Sequence, residues 1–158
     1  MAKLYLSLGS NEGDREMLLR AAIDAIDWLI GQVDGISPFI ETAPWGFESK
    51  HPFLNAALSV ETGLPAMDVL DRTQEIERQL GRQRKSVAGQ YQDRPIDIDL
   101  LCYDDLVLST ERLTLPHPLL QERLFVLDPL AEIAPQFLHP TLGKTIQTLR
   151  DELRLRLD

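Results

Sequence analysis

An α+β fold, one antiparallel sheet with its helices packed against it, is predicted by three observations in this sequence. Apolar residues alternate with period two in stretches near 4–9, 52–62 and 95–103. They recur with helical period in two stretches between them. With a further extended segment near 36–47, the resulting order is β-α-β-β-α-β, which is the split βαβ of ferredoxin-like folds.

Each element follows from local chemistry. In Leu-Tyr-Leu-Ser-Leu-Gly (4–9), Leu4, Leu6 and Leu8 share one face. A turn over 9–14 ends at Asp14, an N-cap for a helix that gathers Leu18, Leu19, Ala22, Ile23, Ile26, Leu29 and Ile30 on one side. Two extended segments follow, near 36–47 and 52–62, joined through Glu48-Ser49-Lys50-His51. In the second, Leu54, Ala56, Leu58 and Val60 form the core set, which sends Phe53, Asn55, Ala57 and Ser59 to the opposite face. A second helix runs from about Ala66 to Leu80, where Gly81 ends it. Residues 83–93 lack apolar periodicity and read as a long loop before the strand near 95–103. Beyond 104 the pattern gives a short hairpin, the turn Pro116-His117-Pro118 and two or three short helices. Both long helices then lie on one face of the sheet, and the other face is left for chemistry.

The 158 residues fit a single domain spanning 1–158, with 44% apolar and 26% charged residues, as in ordinary soluble proteins. A formal net charge of −9 argues against broad nucleic-acid binding. A lone cysteine, Cys102, in an apolar strand excludes an internal disulfide and reads as a buried thiol. There is no apolar run long enough to span a bilayer and no signal-peptide pattern, so a cytoplasmic protein is expected. A Walker A sequence is absent, and His51, His117 and His139 lack zinc-like spacing.

The most informative stretch is Arg94-Pro95-Ile96-Asp97-Ile98-Asp99-Leu100-Leu101. As a strand it puts Ile96, Ile98 and Leu100 on one face, with Asp97 and Asp99 on the other, about 7 Å apart. Carboxylates that close repel one another, and a divalent cation relieves the repulsion. Mg²⁺ suits the pair, since it takes one or two carboxylates and keeps positions for water and phosphates. Taken alone, Asp-x-Asp favours the acidic solvent face of a strand, and it is the rest of the chain that reverses that reading. Phe53 and Asn55 fall by parity on the same face and suit a flat polar heterocycle. Glu77 sits inside the packed arc of the second helix, bordered by Gln74, where a carboxylate costs desolvation energy. It stands there for a buried salt bridge, with an arginine of the 82–94 stretch, or for a ligand. Arg82, Arg84, Lys85 and Arg94 bracket the long loop, and Arg112, Thr114, His117 and Arg123 form a second polar group. Arginine forks suit phosphate. Two such groups converging on paired carboxylates suggest a nucleotide polyphosphate.

Taken together, these residues resemble the 6-hydroxymethyl-7,8-dihydropterin pyrophosphokinase family of folate biosynthesis. The resemblance runs from Leu8-Gly9-Ser10-Asn11 to about residue 150. It is most specific at Arg94-x-x-Asp97-x-Asp99-Leu100-Leu101 and at Glu111-Arg112-Leu113-Thr114-Leu115-Pro116-His117. Thr42-x-Pro44-x-Gly46, Phe53-Leu54-Asn55-Ala56 and Gln74-x-x-Glu77-x-x-x-x-Arg82-x-Arg84 also fit. It implies a ferredoxin-like fold and pyrophosphoryl transfer from ATP to the pterin hydroxymethyl group, releasing AMP. By resemblance, Asp97 and Asp99 hold two Mg²⁺ ions, and Arg82, Arg84 and Arg94 join them in catalysis. Gln74, Glu77, Arg84, Tyr91, Arg94, Leu100, Arg112, Thr114, His117 and Arg123 match positions around ATP. Thr42, Ala43, Trp45, Phe53, Asn55 and Phe125 match the pterin pocket. The partners implied are these two small molecules alone, with no nucleic acid or membrane, and the protein is expected as a monomer. Asp93, Tyr91, Phe53 and Trp45 depart from the commoner proline, tryptophan, tyrosine and leucine, which is expected to alter affinity rather than reaction.

Two other readings stand beside this one. A nucleotidyltransferase also uses Gly-Ser and Asp-x-Asp, although here almost ninety residues separate Gly9-Ser10 from Asp97. A ferredoxin-like sensing domain would have no need for Glu77 in a packed arc.

Overall fold

The computed structural model describes residues 1–43, 51–81 and 95–158. Its elements are β1 (Ala2–Ser10), α1 (Arg15–Leu29), β2 (Gln32–Ile36), β3 (Ile40–Thr42), β4 (Phe53–Thr62), α2 (Ala66–Gln79) and β5 (Asp97–Tyr103). A hairpin of β6 (Leu108–Ser109) and β7 (Thr114–Leu115), one 3₁₀ turn (Leu120–Glu122), α3 (Leu124–Ile133) and α4 (Ile146–Leu157) complete it. The main sheet has the order β2-β4-β1-β5, every described neighbour antiparallel. That is the arrangement expected for the βαββαβ order.

The helix boundaries follow the sequence signals. The Asp14 carboxylate accepts from Met17 N at 3.1 Å and caps α1. Gly81 takes φ +104 just after α2, a conformation costly for any residue with a Cβ. The segment expected as one strand over 36–47 instead begins at Gln32 and splits into β2 and β3. Pro38 lies in the break and has no N–H to continue a ladder. Ser37 bridges the gap: its N–H donates to Ala57 O at 2.9 Å, and its hydroxyl oxygen accepts from Ala57 N at 2.8 Å.

The helix-side core joins Leu4, Leu6 and Leu8 of β1 to Leu58 and Val60 of β4, Ile96, Ile98 and Leu100, and the apolar faces of α1 and α2. Each fully buried leucine contributes about 1.5–3 kcal/mol. The other face is not open along its whole length, contrary to the expectation. A second core covers part of it, in which Tyr5, Ala57, Leu101 and Cys102 pack against Leu120, Val126, Leu127, Leu130, Ile146 and Leu149. The last third of the chain, after residue 104, builds α3 and α4 over this part of the face. A register shift between Tyr5 and Leu6 pairs Tyr5 with Cys102 and Leu6 with Leu100. Leu101 is thereby left as an extra residue, so two successive side chains, Leu101 and Cys102, turn into the second core. Burial pushes the Cys102 thiol up to about 12, in keeping with an inert core cysteine.

His139 is buried under the turn that leads to α4. Its Nδ1 accepts from Leu142 N at 3.0 Å and Thr141 N at 3.3 Å, which requires the neutral ring. Burial holds this imidazole below its ordinary 6.5. The unfolded chain therefore takes up the proton first as pH falls. Stability from the neutral ring is complete above about pH 6.5 and is lost progressively below it. His139→Asn keeps an acceptor and removes the titration, so its urea-unfolding free energy should fall less between pH 7 and pH 5 than that of the wild type. His117, also held low by burial, leaves a residual slope in both proteins.

Candidate active site

The uncovered part of the second face is a trough laid along β1. On that face β1 presents Tyr5, then Ser7, then Gly9, so side-chain size falls toward the strand's end. Tyr5 is sealed into the second core, while Ser7 and Gly9 line a cavity. The register places Gly9 opposite Asn55 of β4 and opposite Asp97 of β5, and Ser7 opposite Ala57 and Asp99. Small residues on the central strand thus leave a floor between two walls. Thr42, Ala43, Phe53 and Asn55 form one wall, Asp97 and Asp99 the other, and Arg123, the residue before α3, and Phe125 in its first turn close the cavity. The cavity contains about 430 Å³ of empty space, including space open to solvent.

Eight of the residues singled out in the sequence meet here. The Asn55 amide is 3% exposed and donates through Nδ2 to Thr42 Oγ1 at 2.5 Å. That bond fixes which end of the amide faces the floor: Asn55 Oδ1 stands over Gly9. The Arg123 guanidinium lies 5.5 Å from the Phe125 ring centre, within cation–π range. Arg123 is almost wholly buried, and burial lowers its pKa to about 10, so it remains a cation at neutral pH. A positive charge shielded from water on a cavity wall acts strongly on any anion placed there.

The remaining described candidates lie around β5. The backbone N–H of His117 donates to Leu101 O at 2.8 Å, which ties the Pro116-His117-Pro118 turn to the strand. His117 Nδ1 accepts from Leu119 N at 3.1 Å, burial lowers the ring's pKa, and the charge of Asp97 opposes that shift. Arg112 pairs with Asp71 at 2.6 Å and reaches Gln74 Oε1 at 3.2 Å, so two expected nucleotide residues are in contact on the exposed side of α2. Thr114 is exposed in β7, whereas the Leu100 side chain is buried in the helix-side core, leaving its backbone as the part available to a ligand. Glu77 is 7% exposed, and its Oε2 accepts from Ile98 N at 2.8 Å. Trp45, Arg82, Arg84, Tyr91 and Arg94 lie outside the described residues. Sequence reasoning missed Ser7 as a floor residue and, although Gly9 stood in the Leu8-Gly9-Ser10-Asn11 match, gave it no place in the cavity. Their signal was the parity of β1 combined with its pairing to both walls, which needs the sheet order to be read.

Among the described residues no group of three or more metal-binding side chains occurs. Two half-buried carboxylates, two residues apart on one strand face, fit a cation that takes its other ligands from water and a phosphate substrate. The arrangement can therefore hold a flat ring against one wall and a metal-bound polyphosphate against the other, with an arginine at their meeting point.

A family model described as 7,8-dihydro-6-hydroxymethylpterin-pyrophosphokinase (HPPK) matches residues 5–135. A 2-amino-4-hydroxy-6-hydroxymethyldihydropteridine pyrophosphokinase of Porphyromonas gingivalis is 50% identical over 141 residues, covering 89% of this chain and 95% of its own. The enzyme of that name from Aquifex aeolicus is 37% identical over 156 residues, covering 99% and 95%. Among solved structures, a Plasmodium falciparum HPPK-DHPS triple mutant superposes with a TM-score of 0.82 at 16% identity, over 99% of this chain. This chain spans 44% of that longer one, and at such identity the likeness concerns the fold.

A side chain on the floor would have nowhere to go. A Cβ at Gly9 falls 2.9 Å from Asn55 Oδ1 and 3.3 Å from Phe53 Cδ1. Gly9→Ala should cost about 1–3 kcal/mol in urea unfolding, as overpacking does. Gly63→Ala, where the new atom meets only the flexible Met1 sulfur at 3.5 Å, should stay within about 0.5 kcal/mol of the wild type.

Proposed function

The chain belongs to the 7,8-dihydro-6-hydroxymethylpterin-pyrophosphokinase family, and we propose that the trough along β1 is where it works. It is a pyrophosphoryl transferase of folate biosynthesis, moving pyrophosphate from ATP to 6-hydroxymethyl-7,8-dihydropterin. The observation that carries the placement is the Asn55–Gly9–Asp97 row, which sets an amide and an aromatic wall against paired carboxylates across one cavity. The pterin lies on the wall of Phe53 and Asn55, with Thr42, Ala43 and Phe125 around it and Trp45 added from outside the described residues. Asn55, its amide oriented by Thr42, reads the hydrogen-bonding edge of the ring.

The triphosphate would lie on the β5 wall, where Asp97 and Asp99 would hold its Mg²⁺, two ions in all. Bound there, the metal would polarise the transferred group and offset its charge. Gln74, Glu77, Leu100, Arg112, Thr114 and His117 belong to the nucleotide side, and Arg84, Tyr91 and Arg94 join them from outside the described residues. The pterin hydroxyl oxygen forms a bond to the β-phosphorus, the bond from that phosphorus to the α–β bridging oxygen breaks, and AMP leaves with the bridging oxygen. No protein nucleophile is needed, so the protein contributes position and charge. Arg123 meets the phosphates where the two substrates join, and Arg82 and Arg84 act at the loop over them. The protein acts as a single-domain cytoplasmic monomer, a proposal in keeping with its lone buried thiol.

The nucleotidyltransferase reading lost its objection from chain distance, because Gly9 is in register with Asp97. Family membership decides against it, and so will the product. With ATP, Mg²⁺ and 6-hydroxymethyl-7,8-dihydropterin, the protein should form AMP and the pterin diphosphate in equal amounts. Asp97→Ala and Asp99→Ala should each lower that rate by about a hundredfold or more while circular dichroism stays native. Inorganic pyrophosphate as the product, or a folded aspartate variant of near-normal rate, would contradict the assignment.

A further inference from the structure

Glu77 breaks the pattern of α2, and one contact it makes among the described residues is to a backbone. Strand β5 is the edge of the sheet beyond β1, so alternate N–H groups along it face β1 and the outer side. Ile98 is one of the outward ones, and Glu77 Oε2 takes its hydrogen at 2.8 Å. Ile98 stands between Asp97 and Asp99, which are paired to Gly9 and Ser7 on the inner side. The two-carboxylate segment is thus gripped from both edges: by a strand on one side, and by a single helix-borne carboxylate on the other. A charged acceptor makes that second grip stronger than a neutral one would. The Ile98 side chain meanwhile packs into the helix-side core beneath α2, so the bond and the packing fix the same residue.

We propose that Glu77 is a positioning residue for the metal-binding pair. It acts through the Ile98 N–H, holding β5 so that Asp97 and Asp99 keep one separation and one direction into the cavity, and its function does not depend on touching the nucleotide. The inference rests on the reading of the two aspartates as metal ligands. Groups that orient metal ligands commonly change affinity by about 10–100-fold when removed.

The full-length protein is tested as Glu77→Leu, which removes the acceptor, and Glu77→Gln, which keeps an oxygen in place. Mn²⁺ binding is followed by electron paramagnetic resonance without nucleotide, and Ile98 amide exchange by NMR. Glu77→Leu should bind Mn²⁺ about tenfold or more weakly and exchange the Ile98 amide faster. Glu77→Gln should restore amide protection and bring Mn²⁺ affinity to within about twofold of the wild type. Unchanged Mn²⁺ affinity in a folded leucine variant overturns the proposal. If that variant does not fold, a glutamine variant that protects Ile98 yet loses tenfold in Mn²⁺ affinity overturns it equally. Wild-type protein that binds no Mn²⁺, while Asp97→Ala retains full turnover, removes the metal reading itself and this inference with it.

Discussion

Strand β1 is paired on both sides, and its register with β4 and β5 is the constraint on which the rest of the molecule depends. Gly9 opposes Asn55 on one side and Asp97 on the other, so a single row of cross-strand register sets the distance from the aromatic wall to the acidic wall. With neighbouring strands about 4.8 Å apart, the outer members of that row are about 10 Å apart. A slip of one residue would turn the aspartates into the helix-side core and Leu8 into the trough. The apolar set Leu4, Leu6 and Leu8 prevents such a slip, because each is wholly buried under the helices. Core and site are therefore specified by the same alternation.

The two cores divide the labour. The one beneath α1 and α2 fixes the sheet, and the one beneath α3 and α4 decides how much of the other face stays uncovered. The irregularity at Tyr5 and Leu6 sits at the boundary between them. By turning both Leu101 and Cys102 into the second core, it anchors β5 immediately beyond the aspartates. The His117 N–H bonds to Leu101 O at the same place, so the turn that carries His117 is attached to the anchored part of the strand.

Much of this was legible in the sequence, and the limits have physical causes. Asp14 and Gly81 marked helix ends because capping is local chemistry. Phe53, Asn55, Asp97 and Asp99 could be put on one face because strand parity is also local. The split of the 36–47 segment was not legible, although Pro38 was its sign, since Ser37 repairs the ladder with its own side chain. The covering of half the second face depends on where α3 and α4 dock, which no short-range pattern encodes. Glu77 was recognised as out of place by the helical wheel, but its bond to a backbone N–H on another element could not be reached from side-chain chemistry. The roles assigned to Arg82, Arg84, Tyr91, Arg94 and Trp45 rest on the resemblance alone.

The floor of the trough at Gly9 is main chain, pressed between an amide that Thr42 holds and a strand that carries the aspartates. An inhibitor that spreads a flat ring there and draws its affinity from that floor would meet no side chain that a resistance mutation could trim or recharge. Escape would have to come from the walls instead. There the Phe53 and Phe125 rings can be exchanged, but only by altering the surface proposed for the natural substrate.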